Sequence, residues 1–124
     1  MKRRPLAVGS PLSAFVDAWV AGIRARDAAA LSVLFDPEVL FCATKPEVLV
    51  GREAVRGYYE GVPEGLDAEA RILVERSPAP GVEHGVVEVA FSAPGGLRLN
   101  GRLGVTLVRR EAGWLVSQYH LASA

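Results

Sequence analysis

Leu97-Arg98-Leu99-Asn100-Gly101-Arg102-Leu103-Gly104-Val105-Thr106-Leu107-Val108-Arg109, then Glu111-Ala112-Gly113, then Trp114-Leu115-Val116-Ser117-Gln118-Tyr119-His120-Leu121-Ala122 decide the fold. Leu99, Leu103, Val105 and Leu107 alternate with Arg98, Asn100, Arg102 and Thr106, the period of a half-buried strand. Upstream, the runs near 66–77 and 82–92 have the same period, separated by Pro78-Ala79-Pro80-Gly81 and Ala93-Pro94-Gly95-Gly96. Turn signals at this spacing predict an antiparallel meander of four long strands. Ala68, Ala70, Ile72 and Val74 form one apolar face, with Leu73 out of step; Val87, Val89 and Phe91 form another, opposite His84, Val86, Glu88 and Ala90.

Ahead of residue 61 the period is 3.6. Leu12, Phe15, Val16, Trp19 and Ile23 mark one helix face over 12–26, with Ser10 or Ser13 as its cap. Asp27 caps a second short helix that buries Leu31, Leu34 and Phe35 and stops at Asp36-Pro37. Val39-Leu40-Phe41-Cys42 reads as a short apolar strand, Lys45-Pro46-Glu47 as a loop, and Arg52 to Glu60 as a third helix after Gly51. Helices first and a meander second predict an α+β fold. Strands this long coil, so the three helices should fill the concave face. The other face is semi-polar, with enough apolar area to take a second copy of the chain.

The composition narrows the function classes. The chain has 124 residues, 14 Lys+Arg against 14 Asp+Glu, and half its residues hydrophobic, which suits one domain over 11–124. Zero net charge argues against nucleic acid and anionic membranes as partners. The single cysteine, Cys42, excludes an internal disulfide and a cysteine-rich zinc site, and His84 and His120 lack metal spacing, so no metal or cofactor is expected. Residues 1–10 read as a flexible tail: Leu6-Ala7-Val8 is too short for a signal core, and no run reaches bilayer length. A cytoplasmic protein is expected.

Several ordered pieces carry a family resemblance. Arg26-Asp27-Ala28-Ala29-Ala30-Leu31 and Leu34-Phe35-Asp36-Pro37-Glu38-Val39 are two of them. Gly51-Arg52-Glu53-Ala54-Val55-Arg56-Gly57-Tyr58-Tyr59 matches G-x-E-A-I-x-x-Y-Y, and Tyr119-His120-Leu121-Ala122-Ser123 matches the last hairpin's ending. Over residues 12–124 the chain resembles the nuclear transport factor 2-like superfamily, in its SnoaL-like branch. It is also similar to the calcium/calmodulin-dependent kinase II association domain around Thr44 and Arg102. The resemblance implies a cone-shaped α+β barrel with a curved, mainly antiparallel sheet, pairing as a homodimer through that sheet. It also implies an apolar pocket for a small organic molecule. One such fold hosts isomerases, dehydratases, epoxide hydrolases, cyclases and association modules, so function rests on the site.

The resemblance also implies that the steroid-isomerase set is absent: by it, the donor tyrosine falls near Trp19 and the base near Ala43, and neither side chain does that chemistry. His120 is the acid/base candidate, histidine being the residue type most often used for proton transfer at neutral pH. Arg102, mid-strand beside Leu103, either holds a ligand carboxylate or pairs with Glu88. Phe15, Trp19 and Phe41 either line or fill a cavity, Thr44 offers a hydroxyl at its mouth, and Tyr58 and Tyr59 send one ring inward and one outward. His84 is expected in solvent and Cys42 as a buried inert thiol. Three readings follow: an acid/base isomerase, lyase or cyclase; a binding protein without turnover; and a non-catalytic association module.

Overall fold

A computed structural model describes residues 9–124, which form three helices on one mixed six-stranded sheet. The elements are α1 (Pro11–Ala25), α2 (Ala28–Ser32), β1 (Phe35–Cys42), β2 (Leu49–Val50), α3 (Arg52–Glu60), β3 (Asp67–Ala79), β4 (Val82–Ala93), β5 (Leu97–Arg110) and β6 (Gly113–Ser123). The sheet order is β2-β1-β6-β5-β4-β3, and β3 to β6 are the antiparallel meander that the alternation predicts. The fold is cone-shaped α+β, but its sheet is open: β2 and β3 are edges that do not pair with each other. Most of the expected tail lies outside the described residues; Ser10, at its end, caps α1 by accepting from the Ser13 N–H at 3.0 Å.

Two local expectations change. Phe35 does not belong to the second helix, and Asp36-Pro37 does not stop it: both lie on β1, which runs parallel to β6. The Leu34 carbonyl accepts from Val116 N–H at 3.0 Å, so the β6 ladder takes this segment before a further helical turn forms. Strand β1 is also not uniformly buried. Val39 and Phe41 are inside, whereas Leu40 is 45% exposed. The short edge strand β2 had no signal in its two residues.

Register irregularities account for the remaining differences. The β3–β4 ladder slips between Ile72 and Val74, leaving Leu73 as the extra residue. Val74, expected inside, therefore turns out to solvent. In the β5–β6 ladder Thr106 faces Gln118 but Leu107 faces Val116, so Ser117 is the extra residue. Past it, Tyr119 and Leu121 point inward, while Gln118 and His120 point outward. The core is aromatic at its centre: Phe41 stacks on Tyr119 with centroids 4.2 Å apart, and Phe35 meets Phe15, Phe41 and Tyr119 edge-on.

Two close approaches hold the helical layer against the sheet and α2. A Cβ on Gly22 would lie 2.7 Å from Leu31, and one on Gly85 would lie 2.5 Å from both Leu12 and the Val74 carbonyl. The second obstacle is partly backbone, which cannot rotate away. Gly85→Ala should therefore cost about 1–3 kcal/mol, while Gly104→Ala, with its nearest atom 3.9 Å away, should be close to neutral by chemical denaturation.

Asp36 is the buried ion of the fold, only 6% exposed. It accepts from Arg110 Nε at 2.9 Å and from Glu38 N–H at 3.1 Å, and the Arg110 bond holds its carboxyl below the usual range. Asp36→Ala should cost about 0.5–1.5 kcal/mol, the net worth of the hydrogen bonds it removes, because the half-exposed Arg110 can turn to water. Because folding lowers this pKa, the unfolded chain takes the proton first. The contribution is complete above the ordinary carboxyl pKa of about 3.9 and is lost as pH falls through the lower folded value. Urea titrations of wild type and Asp36→Ala should converge as the pH drops through that window.

Candidate functional site

The wide end of the cone holds a cavity of about 140 Å³ between α1, α3 and the inner face of the sheet. Its polar end is built from three elements. Trp19, 0% exposed on α1, donates its indole N–H to the Tyr59 hydroxyl on α3 at 2.9 Å. The Tyr59 hydroxyl in turn lies beside that of Tyr119 on β6, close enough for each to influence the other's ionisation. Tyr58 and Thr44 form a second hydroxyl pair at the same cavity. The rest of the wall is apolar: Ile23, Phe91, Leu99 and Leu121 deep inside, with Val62, Pro63, Leu66 and Leu97 toward the mouth.

Burial pushes all three phenols up in pKa, Tyr59 and Tyr119 strongly. They are fixed hydrogen-bond groups at neutral pH and do not supply a base. None of the residues lining the cavity is an acid, a histidine, a lysine, an arginine or a cysteine. The site can orient a neutral molecule and polarise an oxygen on it. It holds nothing that exchanges a proton near neutrality.

The Trp19 N–H, Tyr59 O–H and Tyr119 O–H are three donors around two phenolic oxygens: Trp19 donates to Tyr59, and the two hydroxyls share at most one further bond. One phenolic O–H is therefore left without a protein acceptor among the described residues, on a pair of side chains that are almost wholly buried. A buried donor of this kind needs an acceptor from elsewhere.

The expected site residues divide between the two faces of the sheet. Trp19, Thr44, Tyr58 and Tyr59 meet at the cavity, and both tyrosines line it instead of pointing apart. Phe15 and Phe41 are core residues that do not line it. His120 and Arg102 are exposed on the outer face, on the opposite side of the sheet from the cavity. The Ser117 bulge separates His120 from the inward set, because it reverses the strand's parity. The Arg102–Glu88 pair does not form: the two are register neighbours, but Glu88 takes Arg71 at 2.9 Å. Cys42 is half-buried on that outer face, in register with His120, and not fully buried as expected. His84 is in solvent, as read from its turn.

The outer face carries a shallow groove of about 320 Å³ where His84, Thr106, Gln118 and His120 surround a floor that includes Gly104. Among the described residues no three metal-ligating side chains come together. No helix among them is long and apolar enough to cross a membrane.

Sequence reasoning missed Tyr119. One signal was present: Leu115-Val116 are consecutive apolar residues followed by Ser117, a break in alternation that marks a bulge. The cavity's mouth residues Val62, Pro63 and Leu66 carried no signal, since their loop has no periodicity.

Comparison with known proteins places this geometry in a family. A search of curated protein sequences finds no match. Several solved structures share the fold. One is described as a calcium/calmodulin-dependent protein kinase type II association domain from Thiobacillus denitrificans (TM-score 0.79, 17% identity, 93% of this chain and 95% of that one). Another is described as a scytalone dehydratase from Novosphingobium aromaticivorans (TM-score 0.77, 15% identity, 92% and 82%). A third is a ketosteroid isomerase-like protein from Erwinia carotovora (TM-score 0.73, 15% identity, 98% of each). Identities this low establish the fold alone. The family model of the SnoaL-like domain matches residues 12–124, and the chain belongs to that family.

Proposed function

We propose that this SnoaL-like domain binds one small, neutral, largely apolar molecule in its cone cavity, holding an oxygen of that molecule with a tyrosine hydroxyl. The unpaired phenolic O–H of the Tyr59–Tyr119 pair carries the reading. A ligand that brings an acceptor satisfies it; a pure hydrocarbon leaves it stranded. The neutral wall speaks against a carboxylate ligand, whose charge would be buried without a counter-ion. An isomerase, lyase or cyclase working here would have to rely on hydrogen-bond polarisation alone, since His120 is on the other face. Binding without turnover is the reading this chemistry favours. The single thiol at Cys42 is in keeping with a cytoplasmic setting.

A second reading concerns the outer face and is compatible with the first. Leu40 (45% exposed) and Val50 (64% exposed) are register partners at one edge of the sheet, and Leu73 and Val74 are exposed on the other edge strand. Between them lie Gly104, Thr106 and Ala122. We take this face to pair two copies of the chain, as the notion of an association domain among the structural neighbours also supports.

The ligand reading is tested with 1-indanone against indane, which differ by one carbonyl. Indanone should raise the melting temperature of the wild type more than indane does, and the Tyr59→Phe/Tyr119→Phe double variant, which leaves no phenolic hydroxyl in that pair, should reduce that difference while keeping the response to indane. One neutral hydrogen bond amounts to roughly 0.5–1.5 kcal/mol, so the expected affinity loss is up to about tenfold. Equal responses to both compounds would exclude the tyrosine donor. For the pairing of copies, light scattering at micromolar concentration should give about twice the 13.2 kDa chain mass, and Thr106→Arg should return it to the single mass. A monomeric wild type would exclude the interface.

A further inference from the structure

The cavity's mouth is crossed by the segment from Gly61 to Leu66, whose Val62, Pro63 and Leu66 side chains form part of the wall. Its own backbone bonds are local turns: Gly61 N–H to the Tyr58 carbonyl, Val62 N–H to Tyr59, and Leu66 N–H to Pro63. No strand ladder holds it down, and Gly61, Pro63, Glu64 and Gly65 are exposed. On its far side Gly65 rests against Pro94 in the β4–β5 turn, so close that a Cβ there would lie 2.7 Å from that ring. A segment with these features opens at small free-energy cost unless something ties it.

Two arginines at the end of α1 supply the ties. Arg26 donates from Nη2 to the Val62 carbonyl at 2.9 Å and reaches the Glu60 carbonyl at 3.5 Å. Arg24 binds the other end, with Nε on Asp67 Oδ1 at 2.6 Å and Nη2 on the Ala68 carbonyl at 3.3 Å. Arg24 anchors the start of β3, which the ladder to β4 already fixes. Arg26 anchors the strap itself.

Arg26 is also the one non-glycine residue with positive φ among the described residues, at φ 53°, ψ 42°. It caps α1 in the left-handed conformation, a position where glycine is the usual occupant because it has no Cβ to strain. Glycine there would close the helix as well but would have no side chain to cross to the strap. Strain accepted at the cap and a tether at the cavity mouth thus meet in one residue.

We propose that Arg26 is a positioning residue that latches the Gly61-to-Leu66 strap over the cone cavity, so that exchange between cavity and solvent passes through release of its bond to Val62. The proposal rests on the cone cavity being the ligand site, but its test does not. Trp19 lies in the cavity wall and Trp114 is the only other tryptophan, so a Trp114→Phe background makes Trp19 the sole indole. Acrylamide quenching then reports access to the cavity with no ligand present.

Arg26→Gly should raise the quenching constant of Trp19 by about two-fold or more, as the open population of the strap grows. Its melting temperature should hold or rise, because glycine relieves the left-handed cap. Arg26→Asn, which tolerates the same backbone but cannot reach Val62, should raise quenching likewise. A merely structural cap would leave quenching unmoved in the Gly variant, and that result overturns the latch. Raised quenching in a protein that does not respond to 1-indanone keeps the latch and removes the ligand reading. A response to 1-indanone with unmoved quenching does the reverse.

Discussion

The indole N–H of Trp19 constrains this molecule more than any other single group. It is wholly buried, so it must find an acceptor inside the protein, and the Tyr59 hydroxyl is that acceptor. The bond ties α1 to α3 through two residues 40 apart in the chain. It also turns the Tyr59 hydroxyl toward Tyr119, bringing in β6 as the third contributor. The polar end of the cavity therefore follows from satisfying one tryptophan. Because the chain of donors has one member too many, satisfaction is incomplete, and the cavity inherits a free phenolic proton. On the proposed reading this group holds the ligand's oxygen, since in an apolar enclosure its hydrogen bond is stronger and costlier to leave unmade.

A second constraint decides which chemistry faces which way. A strand's side-chain period is two, so one extra residue reverses everything beyond it. Ser117 is that residue in β6. Were Ser117 paired in regular alternation after Val116, His120 would face the cone and Tyr119 would face out. With the bulge, a tyrosine stands in the cavity and both histidines share the outer face. Leu73 does the same on β3 and turns Val74 to the surface. The sheet thus has two differently equipped faces: an inner one of phenols and aliphatic groups, and an outer one of exposed apolar residues interspersed with Arg102, His84 and His120.

Much of the fold was legible because its signals are local. The third helix runs over Arg52–Glu60 as the periodicity indicates, and the four meander strands fall within one or two residues of their turn signals. Trp19, Thr44, Tyr58 and Tyr59 come together around the cone cavity. The errors share one origin, which is that ladder partners are not written in the local sequence. Phe35 continues a helical pattern but is taken by the parallel pairing of β1 with β6, and β2 exists only because β1 lies beside it. The tether from Arg26 to Val62 was equally unreadable, since it joins positions 36 apart through a loop without period.

By itself the sequence determined most of the element types, the meander, and the neutral and half-apolar character of the chain. These depend on residue identity and near-neighbour spacing, which a single chain displays in full. The tertiary structure alone decided which side chains share a space: that Tyr119 and not His120 enters the cone, that Arg102 is separated from the cavity by the sheet, and that one arginine at a helix end holds the cavity's mouth. Those outcomes turn on register, and register is set by long-range pairing and by single-residue bulges whose effect is on every residue that follows them.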